Sequence, residues 1–244
     1  MSRTRQADAG LGTALDAAAD LDAAAPGDAT NRLERLVERA LAKGGGRAAA
    51  RAEAARRARP DGSPADVIAL LEHRYRRQVP VVSAAVGLTA AVPGVGTAVA
   101  ALLTSANLVF FFRSSTTYIG AVGHVHGIAI DDVARRRTLL LAALLGEDGA
   151  RAVSGRLGVS SLYWGRGILT RLPLGTVRTV NRGLARRLVR LAGTKGGAMM
   201  LGRLAPFGIG AVVGWYVGGR LATQVVTGAR DAFGPPPDDD AAGR

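Results

Sequence analysis

Three histidines, 19 carboxylates and no cysteine bound the metal and acid–base chemistry open to this chain. The missing thiol excludes disulfides, thiolate zinc sites and cysteine nucleophiles. The densest grouping of ligand-type residues is His124-Val-His126 followed by Asp131 and Asp132. On a helix, residues two apart point roughly 200° away from each other, so both imidazoles reach one ion only from an extended segment. The plainer reading is two histidines at a helix end, and no metal is assigned. Gly208-Ile-Gly210-Ala-Val-Val-Gly214 falls one residue short of a dinucleotide fingerprint. The break at Arg203-Leu-Ala-Pro206 precedes it where a strand is required, and no alternating strand–helix pattern surrounds it. Gly193-Thr-Lys195-Gly-Gly197 lacks the order of a phosphate-binding loop, and neither Gly-x-Ser-x-Gly nor His-Glu-x-x-His occurs. General acid–base catalysis would rest on carboxylates, and the long apolar segments hold none. The expectation is a protein that is not an enzyme and has no cofactor.

The elements that carry these residues follow from composition. Hydrophobic residues make up 48% of the 244, but aromatics only 5%, and there are 33 glycines. Apolar content of this kind, mostly Ala, Val and Leu, suits helices that approach closely. The excess of positive charge is local: residues 1–148 carry 18 basic and 15 acidic side chains, whereas 149–230 carry 13 basic and none acidic. Such a one-sided stretch attracts anionic surfaces over a distance. Asp8, Asp16, Asp20 and Asp22 interrupt what would be the apolar run of a secretory signal, which places the expected site of action on the cytoplasmic side.

Residues 1–30 are Ala/Asp-rich and read as disordered. Between 31 and 60 a short amphipathic helix is followed, after Lys43-Gly-Gly-Gly-Arg47, by an Ala/Arg helix over 47–59 that reads as solvated rather than packed. Pro60-Asp-Gly-Ser-Pro64 is a boundary, with Ser63 and Asp66 at capping-box spacing for a helix ending in Arg74, Arg76 and Arg77. From Val79 to Phe112 the chain runs 34 residues without a charge. Pro93 and Gly94 divide the run and predict the tip of a helical hairpin, basic at both ends and re-entrant in a membrane or buried in protein. Residues 114–130 read as a separate packed helix, and Asp131 and Asp132 open another that stops near Gly146.

Residues 174–191 form a basic amphipathic helix, with Val177, Val180, Leu184 and Leu188 at helical spacing. Arg178, Arg182, Arg186, Arg187 and Arg190 are its candidate contacts with anionic lipid. Two arrangements stay open: the apolar side in the headgroup boundary, or docked on a core with the arginines solvated. In the charge-free stretch 204–219, Gly210, Gly214 and Gly218 recur every fourth residue and form a ridge for close helix packing, with Trp215 and Tyr216 beside it. Residues 233–244 read as a disordered acidic tail.

The block Leu204-Ala-Pro-Phe-Gly-Ile-Gly-Ala-Val-Val-Gly214, continuing to Ala229-Arg-Asp-Ala-Phe233, resembles the C-terminal part of the EcsC-like proteins of bacteria. Val92-Pro-Gly-Val-Gly-Thr97, His126-Gly127 and Arg135-Arg136-Arg137 before Leu144-Leu-Gly146 look like the matching N-terminal half. The similarity covers roughly residues 65–233. It implies a helical, membrane-associated protein acting beside a membrane transport system, and supplies no catalytic residue.

The expected architecture is all-α: a multi-helix bundle of Gly/Ala-rich apolar helices in residues 63–232, with the hairpin 79–112 packed against a helix over 204–230. The expected role is structural or regulatory, at the cytoplasmic side of the cell membrane, with anionic lipids as partners and a membrane protein or a second copy as further ones. The competing reading is a basic helical protein binding nucleic acid through residues 149–230.

Overall fold

The computed structural model describes residues 45–89, 97–128, 130, 132–157, 165, 173–184 and 209–237, and every element among them is a helix. In chain order these are α1 (Gly45–Ala58), α2 (Pro64–Thr89), α3 (Thr97–Val125), α4 (Val133–Leu145), α5 (Glu147–Leu157), α6 (174–184) and α7 (Ile209–Phe233). The all-α bundle is therefore present, and α2 and α7 are extensively packed together. The readings made for residues 1–44, the tip at Pro93 and Gly94, the arginines 186, 187 and 190, and residues 238–244 lie outside the described residues.

The capping box forms as its spacing predicts: Ser63 N–H donates to Asp66 Oδ2 (3.0 Å) and Asp66 N–H to Ser63 Oγ (3.3 Å). The helix it starts does not end after Arg77. It runs 26 residues to Thr89, straight through Pro80. Pro80 cannot donate to the Arg76 carbonyl, but the buried stripe Val67, Leu71, Tyr75 and Val79 leads directly into it, and packing holds the helix together across one missing bond. The second arm of the hairpin and the polar stretch after it are likewise one element, the 29-residue α3. Its run Ser114-Ser115-Thr116-Thr117 stays helical because each hydroxyl donates to a carbonyl three or four residues back, among them Ser115 to Phe111 (2.7 Å) and Thr116 to Phe112 (2.7 Å). A hydroxyl satisfied within its own helix is cheap to bury.

Two further expectations are corrected. The Ala/Arg helix α1 is packed, not solvated: Ala48, Ala52 and Ala55 are buried in a row, and a methyl group at Gly120 of α3 would come within 2.7 Å of Ala48 Cβ. Methyls suffice for a core stripe when the backbones approach this closely, and the segment at 59–63 is a turn between packed helices. The acidic tail does not begin at 233 either. Phe233 is fully buried, stacks on His126 (centroids 5.5 Å apart), and Gly234 closes α7 at φ +80.

The ends of α3 and α4 use glycine in left-handed backbone. Gly127 (φ +71) donates to the His124 carbonyl and Ile128 to that of Gly123, the paired bonds of a Schellman cap. Asp132 caps α4 by accepting from Arg135 N–H at 2.9 Å, and Gly146 ends that helix. Leu139 to Leu144 of α4 then lie wholly inside the core, beneath Val225, Val226 and Ala229 of α7.

Candidate functional site

Small residues on α2 and α7 decide how these helices meet. A methyl group on Gly210 would lie 2.6 Å from the Gly87 carbonyl oxygen, one on Gly214 would lie 2.3 Å from that of Ser83, and one on Gly218 would meet Ser83 Oγ at 2.8 Å. The partner surface is Pro80, Ser83, Ala84 and Gly87. Gly87 was missed in the sequence, although Ser83-x-x-x-Gly87 is itself a row of small residues at four-residue spacing. The contacts run antiparallel in a steady register, Gly87 to Gly210 and Ser83 to Gly214, and farther along Glu72 meets Arg230 in a two-pronged pair at 2.7 and 2.5 Å.

The same register fixes the level of the charges. Between Pro80–Gly218 and Glu72–Arg230, residues Arg76 and Arg77 fall opposite residues 222–224, within about one turn of Arg220. Helix α3 is also antiparallel to α2, with Asn107 beside Ser83 and Ser115 beside Tyr75, which brings Arg113 to that level too. Four arginines from three helices thus form a collar. On one side of it, α2 (78–89), α3 (97–112) and α7 (209–219) carry no charged residue. These parts are 12, 16 and 11 residues long, about 18, 24 and 17 Å of helix.

This uncharged end is apolar on its outside. Val81 and Leu88 of α2 are 52% and 54% exposed, and Val212, Trp215 and Tyr216 of α7 are 70%, 54% and 61% exposed. Each set lies on one face of its helix by spacing, i and i+7 on α2 and i, i+3, i+4 on α7. Among the described residues only Val133 and Leu174 are other large apolar side chains so exposed. Tyr216 joins stripe to collar: its hydroxyl accepts from Arg220 at 3.2 Å, and the guanidinium stands 5.9 Å from the ring centroid. No helix among the described residues is long and apolar enough to cross a membrane.

The basic helix α6 is placed differently from one of its two expected arrangements. Val177, Val180 and Leu184 are buried in the protein core, so its apolar side is not free to enter a headgroup layer. Asn181, invisible to a pattern of apolar residues, locks it there. Its amide donates to the Ala134 carbonyl (2.9 Å) and its Oδ1 accepts from Thr138 (2.9 Å). Arg178 and Arg182 point outward and are exposed.

The remaining sequence candidates do not assemble. His124 is exposed on α3 while His126 lies in the following turn against Phe233, and no group of metal ligands forms among the described residues. Gly210 and Gly214 are occupied by the α2 backbone, which leaves no room for a pyrophosphate. No family model, curated protein or solved structure matches the chain.

Proposed function

We propose that this protein is a membrane-associated, non-enzymatic helical protein that sinks its uncharged three-helix end into one leaflet from the cytoplasmic side. The observation that carries this is the arginine collar, Arg76, Arg77, Arg113 and Arg220, drawn around three helices whose farther parts are uncharged and expose an apolar stripe. The uncharged parts of the three helices, 11 to 16 residues or about 17–24 Å each, are long enough to reach the middle of a hydrocarbon core of about 30 Å and too short to span it. Arginines at that depth meet anionic headgroups, and Trp215 and Tyr216 occupy the zone where amphipathic rings gather. The resemblance to EcsC-like proteins points the same way, and membership of that family belongs to this proposal. The outward Arg178 and Arg182 of α6 add a second contact for anionic lipid.

Vesicles containing phosphatidylglycerol test the reading, with Trp164→Phe leaving Trp215 as the single indole. Trp215 emission should shift to the blue on adding vesicles and be quenched by lipids brominated along the chain. Reversing the four collar charges to Glu should weaken binding by roughly fivefold or more per charge. Emission unchanged at millimolar lipid would sink the proposal. Tight, salt-sensitive binding to duplex DNA in lipid-free buffer would move nucleic acid to the front.

A further inference from the structure

A cavity of about 630 Å³ opens beside Tyr118, between α2, α3, α5 and the end of α7. Its two arginines are already neutralised, Arg151 by Glu147 and Arg230 by Glu72. The charges are arranged differently in a smaller hollow where α1 lies across α2 and α3. This notch has about 20 Å³ of free space, room for one or two oxygen atoms rather than a whole molecule. Arg51 of α1 and Arg74 of α2 both line it, and no acidic residue does.

Packing brings the two arginines together. Ala48, Ala52 and Ala55 hold α1 against the core, and Arg51, next to that row, reaches toward α2, where its Nη2 donates to Gln78 Oε1 at 3.5 Å. Neither Arg51 nor Arg74 has a carboxylate partner among the described residues. Partial burial of its guanidinium first, and the Arg74 charge second, lower the ionisation of Arg51 below the ordinary arginine value. Both still carry their charge at neutral pH, and two cations at one hollow repel until an anion joins them. The hydroxyls of Ser114 and Thr117, also at the notch, have donated to the Phe111 and Arg113 carbonyls of their own helix. The N–H donors there are thus the two guanidinium forks and the Gln78 amide, whose NH2 makes no hydrogen bond among the described residues. All three can be reached from solvent: Arg51 is exposed, and Arg74 and Gln78 are half-buried.

We propose that this notch seats the phosphate of a phosphomonoester, with one oxygen in the hollow between Arg51 and Arg74 and another accepting from the Gln78 amide. A dianionic monoester balances two guanidinium charges, and planar forks suit its oxygens. The same group ends a membrane lipid or a small soluble ester. Gln78 and Ser114 directly follow the collar residues Arg77 and Arg113, so the notch lies at the depth of the collar. A lipid source therefore rests on the membrane reading, and a soluble source does not.

Two probes separate the sources. Glycerol 3-phosphate is titrated calorimetrically into the full-length chain without lipid. Phosphatidylcholine vesicles are doped to equal surface charge with phosphatidic acid, a monoester, or with phosphatidylglycerol, a diester. A soluble source predicts saturable binding of glycerol 3-phosphate, one per chain. A lipid source predicts binding to the phosphatidic acid vesicles roughly tenfold tighter than to the others. Arg51→Gln and Arg74→Gln should each weaken the titration, or the preference, by about tenfold. Their thermal melts should be no lower than the parent's, since each variant removes one of two charges that repel. Arg56→Gln removes the same charge outside the notch and should change neither signal. No saturable titration up to about 10 mM, together with equal binding to the two vesicles, would overturn the proposal. So would a loss as large in Arg56→Gln as in Arg51→Gln, because general charge would then explain the binding. If Trp215 emission fails to shift with vesicles while glycerol 3-phosphate binds, the membrane reading falls and the notch stands. If it shifts and neither probe discriminates, the notch falls alone.

Discussion

Tyr75 and Tyr118 are stacked on one another in the same part of the core, yet burial has different consequences for their hydroxyls. Tyr75 is bonded to Ser115, which in turn donates to the Phe111 carbonyl, whereas Tyr118 has no such partner among the described residues. Tyr75→Phe should therefore cost about 1 kcal/mol in urea denaturation, and Tyr118→Phe should be neutral or slightly stabilising. The opposite order would mean that the two hydroxyls have been assigned the wrong roles. Burial raises the ionisation of both phenols above its ordinary value. An unfolded tyrosine releases its proton near pH 10 while these two keep theirs, so above that pH the unfolded state binds fewer protons and stability falls. The decline should reach up to about 1.4 kcal/mol per pH unit for each tyrosine, be absent below pH 9, and largely vanish in the double Tyr→Phe variant. Glu72 and Arg230 are unequal in another way: the Glu72 side chain is 8% exposed and that of Arg230 62%. Arg230→Met strands a buried carboxylate and should cost roughly 2 kcal/mol. That is less than the 3–5 of a fully enclosed pair, because water reaches the guanidinium. Glu72→Gln should cost less than Arg230→Met, since the released guanidinium is mostly solvated already; equal losses would argue against this.

At the scale of elements, two glycines five residues apart on α7 have opposite roles. A side chain at Gly214 collides with the Ser83 backbone, which cannot turn aside, whereas a methyl on Gly219 meets nothing within 4 Å. Gly214→Leu should lower stability by about 3 kcal/mol, overriding the roughly 0.8 kcal/mol that leaving glycine gains in an isolated helix. Gly219→Ala should raise stability by roughly 0.5–1 kcal/mol. A melting temperature for Gly214→Leu equal to or above the parent's would refute the packed ridge. The ridge on α7 was legible because three glycines at four-residue spacing can share only one face of a helix. Its counterpart on α2 was hidden because serine, alanine and proline are small without being conspicuous. The continuity of α2 and α3 was hidden for a related reason. Pro80 and the hydroxyl run 114–117 are locally poor helix signals, and they are overruled by burial along Val67–Val79 and by side chains bonding back to their own helix.

For the molecule as a whole, the test is where it partitions in the cell. Membranes washed with high salt and then with alkaline carbonate should retain the protein through both, if the uncharged end is inserted. Release by salt alone would mean that the arginines provide the attachment, and recovery entirely in the supernatant would defeat membrane association. By itself the sequence determined the all-helical class, the segregation of positive charge, the cap at Ser63, the acidic start of α4 and the glycine ridge, because each depends on residues within a few turns of one another. Charge-free segments were visible too, but not that three of them end at one level. That alignment, the docking of α6 through Asn181, and the cavity beside Tyr118 join residues 24 to 171 positions apart. Only tertiary packing decided them, since the register between helices is set by which small residues meet backbone to backbone, and no local pattern encodes that pairing.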